Sequence, residues 1–209
     1  MYYNFKYDVF KFKIRDNNIY MDSFIVFFLS IFILFIIVGK IFIDHGIVQE
    51  KSDIDGLIYI VRKGRNSKVA SNKLAELNSL AMKLISSLDD NKKGVPYLRN
   101  KYSPNNLSET TKNAQYTSYS VNKGEIISLC IRNSDDTFID NNTIMFVFIH
   151  ELSHVMTDEV GHPTVFWDNM KYLLEKAKEV GVYSPIDYKE KPINYCGMEI
   201  NSTPYIFKK

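Results

Sequence analysis

Residues 141–167 read NNTIMFVFIHELSHVMTDEVGHPTVFW and carry three of the four histidines in the chain, His150, His154 and His162. Asn141–Thr143 supplies capping groups and Ile144–Ile149 is an apolar run, which together predict a helix over 142–156. On such a helix His150 and His154 lie one turn apart on the same face. Two imidazoles so placed can bind one zinc ion, whose nitrogen ligands sit about 2.0–2.1 Å away. Glu151 lies about 100° round the helix, so it can act on water beside the metal without ligating it. This is the H-E-x-x-H arrangement of zinc peptidases. A catalytic site with an open fourth position needs a third protein ligand. His162 is the natural candidate: Gly161 permits a sharp turn, and Pro163 suits the start of a second helix running to about Val180 and stopped by Gly181. Asp158 and Glu175 are its rivals as third ligand.

The chain outside this stretch divides into an apolar N-terminal part and a mixed remainder. Its 209 residues suffice for one ordinary domain and an appendage. The formal charge of +2 does not suggest the broad electrostatic footprint of a duplex-DNA binder. Residues 24–38 read FIVFFLSIFILFIIV without a charge, and 39–43 extend the run to twenty. A helix of that length crosses a hydrocarbon core of roughly 30 Å. The expected organisation is therefore an N-terminal flank over 1–22, a transmembrane helix over 23–43 in contact with a lipid bilayer, a stalk or connector over 44–68, and a catalytic domain over 69–209. A cleaved signal peptide is the rival reading of the apolar run, but a shorter stretch and a small-residue cleavage site would be expected for it. Lys6, Lys11, Lys13 and Arg15 precede the span, which favours export of the C-terminal domain. Translation from Met21 would remove those charges and reverse the bias.

Within the expected domain, Leu74, Leu77, Ala81, Leu84 and Leu88 form one helical stripe, with Ser71 available as its N-cap. Residues 94–111, rich in Pro and Asn, read as loop. Tyr116–Ser120 and Glu125–Ile131 read as strands joined by a turn at Asn122-Lys123-Gly124. Two cysteines, Cys130 and Cys196, exclude a four-cysteine zinc ribbon. They read as buried free thiols, with a disulfide or a role as third ligand as the alternatives. Tyr183, Tyr188 and Tyr195 are tyrosines that could stabilise a transition state; among them Tyr195 is the candidate. Met198 is a candidate for a methionine turn under the metal.

HELSH followed by GHPTVFW resembles the SprT-like and WLM families of small zincin metalloproteases. Phe166 and Trp167 match the aromatic position of those families. The resemblance covers about 124–181 and implies an α+β, minimal zincin-like fold of a small sheet and active-site helices, here preceded by one transmembrane helix. It also implies a strand above the metal-binding helix that borders the substrate cleft, for which Glu125–Ile131 is the candidate. Some related families digest DNA-crosslinked proteins. This chain lacks an evident zinc finger or basic tail, so no nucleic-acid binding is expected. Membrane-anchored relatives of this kind resemble proteins of large DNA viruses.

The expected function is that of a membrane-anchored, one-zinc metalloprotease. It would hydrolyse protein or peptide substrates with a zinc-activated water, with Glu151 as general base and His150, His154 and His162 as ligands. A zinc hydrolase acting on a non-peptide amide is a variant of this reading. The alternative from another class is a membrane structural or assembly protein whose zinc only staples an inactive zincin fold. Glu151 argues against it, because a purely structural site gains nothing from that residue.

Overall fold

Alternating burial builds the first hairpin of the main sheet. Along β4 (Ile58–Arg62), Tyr59 and Val61 point into the core while Ile58 and Ile60 face out. β4 pairs antiparallel with β3 (Ile47–Lys51). The computed structural model describes residues 9–14, 17–43 and 46–207, with side chains for 24–34 and 46–207. These divide into two units, one ending at His45 and one beginning at Gly46. The stretch 44–68, expected to be a stalk or connector, contributes two strands, β3 and β4, to the main sheet. All its apolar residues look alike in the sequence, and only their alternate burial distinguishes a strand from a connector.

In the first unit β1 (Val9–Ile14) pairs antiparallel with β2 (Asn17–Asp22), and α1 (Ser23–Ile43) follows. The expected transmembrane helix over 23–43 coincides with α1. Among the described residues, however, no helix is long and apolar enough to cross a membrane.

The second unit is a five-stranded mixed sheet packed against helices, consistent with the expected α+β class. After β4 come α2 (Ser67–Ser86) and α3 (Val95–Lys101), then β5 (Leu107–Glu109), β6 (Tyr119–Val121) and β7 (Ile126–Leu129). The strand order is β3-β4-β5-β7-β6, with β5 parallel to both β4 and β7, and β6 antiparallel to β7. α4 (Asn141–Met156) and α5 (Thr164–Glu179) follow, then a separate hairpin of β8 (Ile193–Tyr195) and β9 (Met198–Ile200).

The Leu74–Leu88 stripe is buried as its spacing predicts, but α2 begins four residues before Ser71. Ser71 sits inside the helix and donates to the Lys68 carbonyl at 2.9 Å. The expected loop over 94–111 contains α3 and β5. Pro96 falls in the first turn of α3, where its missing N–H costs nothing. At the turn before it Gly94 has φ 89°, and a Cβ there would run into the Met156 carbonyl at the end of α4. β7 is an interior strand, so the cleft edge belongs to β6 and not to Glu125–Ile131.

A buried ion cluster joins the ends of β4 and β5 to the chain leaving β7. Glu109 Oε1 accepts from Arg62 Nε and Arg132 Nε, both at 2.7 Å. Its Oε2 accepts from the Arg62 N–H at 2.7 Å and from Arg132 Nη2 at 2.6 Å. Each guanidinium also donates to the other arginine's carbonyl, at 2.6 and 3.0 Å. All three residues are at most 5% exposed. Removing the shared carboxylate would leave two buried cations facing each other, so Glu109→Ala should cost about 3–5 kcal/mol of stability. Denaturant unfolding of the variant beside the wild type measures this, and a loss below about 1 kcal/mol would mean that the cluster is not a structural tie.

Candidate active site

α4 carries the first half of the site. Its N-cap is Asp140, whose carboxylate accepts the Thr143 N–H at 2.8 Å; the sequence pointed to Asn141–Thr143 instead. The helix then runs to Met156 with its apolar residues in the core. His150 and His154 stand one turn apart, with ring centroids 4.9 Å apart.

The loop after α4 brings the third imidazole back. The Thr157 hydroxyl donates to the Ser153 carbonyl at 2.8 Å and accepts from Asn169 of α5 at 3.0 Å. Lys123, in the β6–β7 turn, donates to the carbonyls of Thr157 and Glu159 at 2.5 and 3.0 Å. In that turn Asn122, Lys123 and Gly124 all have positive φ, and a Cβ on Gly124 would approach Val155 Cγ2 to 3.0 Å. The turn therefore lies directly on α4 and holds the loop that ends in His162. Lys123 is a contributor that the sequence reading did not single out, because its value lies in two carbonyls more than thirty residues away.

The ligating atoms of His150, His154 and His162 all lie within 4.8 Å of one another. His162 Nε2 is 3.1 Å from His150 Nε2. Three nitrogens at zinc-bonding distance from one tetrahedral ion would be roughly 3.3 Å apart; the His150–His162 pair is near that spacing, and the cluster as a whole could hold such an ion. Burial and the neighbouring imidazoles push His150 down to about 3, and burial with His162 and Lys123 pushes His154 down to about 4. Both rings are thus neutral at pH 7, the form in which imidazole ligates a metal. Phe166 closes the site from α5, its ring 4.9, 4.5 and 4.6 Å from those of His150, His154 and His162. Trp167 lies beside His162 at 5.5 Å and is partly exposed. Asp158 and Glu175, the rival third ligands, are outside the cluster.

Glu151 is 4% exposed and lines the same cleft as the histidines. Burial pushes its carboxyl up to about 7, partly offset by the neighbouring Ser120 of β6, whose side chain favours the charged form. Ser118, Tyr119 and Ser120 form the facing wall. Tyr195 is fully buried and its hydroxyl is 2.8 Å from Ser118 Oγ. It is absent from the residues lining the cleft, as are Tyr183 and Tyr188, which pack on Phe146. Met198 is half exposed on β9 and also lies outside the cleft lining. Cys130 and Cys196 are a disulfide, not the two free thiols the sequence suggested. They are separated by 66 residues, and their Cα atoms come to 6.5 Å only because the β8–β9 hairpin folds back beside the end of β7.

The chain is 34% identical to protein R325 of Acanthamoeba polyphaga mimivirus over 163 residues, 72% of this chain and 81% of that one. It is 38% identical to protein 136R of Invertebrate iridescent virus 6 over 84 residues, 38% of this chain and 44% of that one. A crystal structure of Wss1 from Saccharomyces cerevisiae aligns with a TM-score of 0.46 at 22% identity, covering 58% of this chain and 87% of that one. Residues 65–201, more than half of the chain, match the WLM domain, and the chain belongs to the WLM family.

Proposed function

We propose that the chain is a zinc-dependent metalloprotease with Glu151 as its general base. The observation that carries this reading is a buried carboxylate beside three clustered imidazoles, two of them held neutral, on the floor of a cleft walled by an edge strand. His150, His154 and His162 would hold the metal through their ring nitrogens. When bound, zinc supplies Lewis-acid polarisation of a substrate carbonyl and lowers the pKa of water to about 7. Glu151 takes a proton from the attacking water at its carboxylate and passes it to the leaving amine nitrogen. Ser120 lines the cleft beside that carboxylate and favours its charged form. Phe166 keeps the rings packed and excludes water from behind them. An extended peptide can add to the open edge of β6, the role that the sequence suggested for Glu125–Ile131.

Two variants separate catalysis from metal binding. Glu151→Gln should keep about one zinc per chain and lower turnover of fluorescein-labelled casein by roughly 10²–10⁴-fold. His162→Ala should lose zinc affinity together with activity. Zinc titration beside kinetics distinguishes the two, and wild-type turnover by Glu151→Gln would defeat the mechanism. Retained biological activity in that variant, without hydrolysis, would favour the zinc-stapled structural reading.

We further propose that 23–43 anchors the chain in a lipid bilayer. Phe24, Phe27, Phe28, Phe32, Ile33 and Leu34 are each more than half exposed on α1, an apolar surface of the kind that marks membrane contact. The disulfide supports an orientation in which 46–209 faces an oxidising compartment, the side that the basic residues before the span also favour. Full-length protein should resist carbonate extraction from membranes, and recovery of the uncleaved chain in the soluble fraction would exclude the anchor.

A further inference from the structure

Two weakly supported pieces of sheet meet beside the cleft. β6 has three residues and, among the described residues, is paired on one side only, by β7. The β8–β9 hairpin pairs with no strand of the main sheet. A two-stranded ribbon is marginal by itself in water, so its place depends on what ties it down. One tie is the Cys130–Cys196 disulfide, which joins the residue after β7 to the hairpin turn and closes a loop holding His150, Glu151, His154 and His162. The other is Tyr195, whose buried hydroxyl bonds Ser118 Oγ at 2.8 Å. That same oxygen accepts the Cys130 N–H at 3.1 Å. Ser118 stands immediately before β6 and lines the cleft. One serine hydroxyl is therefore the junction between the edge strand, the residue that starts the disulfide and the hairpin that ends it.

We infer that Tyr195 and Ser118 are positioning residues: they form a strut, anchored by the Cys130–Cys196 bond, that sets the edge of β6 for an incoming substrate strand. The inference rests on the reading of this cleft as a peptide-hydrolysing site. Tyr195 is enclosed and its hydroxyl faces Ser118, so it acts through β6 and not on the reacting atoms. The strut also makes the edge sensitive to reduction. Both half-cystines line a cavity of ≈ 560 Å³ shared with Tyr116 and Thr117, which admits a small reductant. A trialkylphosphine attacks one sulfur, the S–S bond breaks and the other sulfur leaves as a thiol. Water then hydrolyses the phosphonium to release the second thiol and the phosphine oxide, so two electrons pass from phosphorus to the sulfur pair.

The test uses full-length, zinc-loaded protein with fluorescein-labelled casein, together with hydrogen exchange at the amides of 118–121. Tyr195→Phe keeps the ring and removes only the hydroxyl. It should raise KM about 3- to 10-fold, as loss of one buried hydrogen bond implies, with kcat and zinc content unchanged. Exchange over 118–121 should quicken while that of α4 stays as it was. Ser118→Ala should do the same. Phosphine treatment should raise KM in the wild type and add nothing in the Cys130→Ala/Cys196→Ala double variant, with zinc measured in the same samples. Unchanged KM and exchange in Tyr195→Phe would overturn the strut, as would a fall in kcat at constant KM. Should the wild type not hydrolyse casein, the protease reading fails, and the exchange measurement alone then decides the strut.

Discussion

A helix buried along most of its length has to carry two imidazoles and a carboxylate, and much of the fold answers that constraint. Twelve of the sixteen residues of α4 are buried, Glu151 among them. A buried polar group without partners costs several kcal/mol, so the surroundings of α4 must supply partners or an opening. The opening is the cleft on the His150–His154 side. Beside that opening Glu151 has Ser120 as a polar neighbour, and the two histidines join His162 in a cluster of nitrogens that could hold a cation.

The same constraint explains why residues far from the histidine cluster matter to it. His162 arrives on a loop without regular structure, so its place comes from bonds around it. Lys123 holds two of the loop's carbonyls, and the Thr157 hydroxyl links α4 to α5 through Ser153 and Asn169. Gly124 lets the β6–β7 turn press against Val155, bringing Lys123 within reach. The edge strand is fixed from its other end by Ser118, Tyr195 and the disulfide. Behind these, the Arg62–Glu109–Arg132 cluster keeps β4, β5 and the exit of β7 in register. The cleft wall thus inherits its position from the sheet, and the histidine cluster inherits its position from two helices and a clamped loop.

How much of this was legible depends on the range of the interaction. His150, Glu151 and His154 are related by helix periodicity alone, so their spacing places them without knowledge of the fold. Gly161 and Pro163 mark the turn and the second helix by local backbone preference, and His162 follows from them. The Leu74–Leu88 stripe is legible for the same reason. By contrast, nothing local in the sequence separates β3 and β4 from a connector, because an apolar strand shows its two faces only once the core exists. α3 and β5 are too short to show a local pattern that would distinguish them from loop.

The sequence by itself determined the chemistry of the site: which residue types stand at helical spacing, and which turn returns a third imidazole to them. Tertiary structure alone decided the rest. It joined Cys130 to Cys196, buried Tyr195 against Ser118, made β6 the edge and β7 an interior strand, and gathered Glu109 between two arginines. The side-chain contacts among these join residues from 23 to 77 positions apart. Local backbone preference carries no information about such pairs, because they form only when the packing of helices on a sheet brings distant segments together.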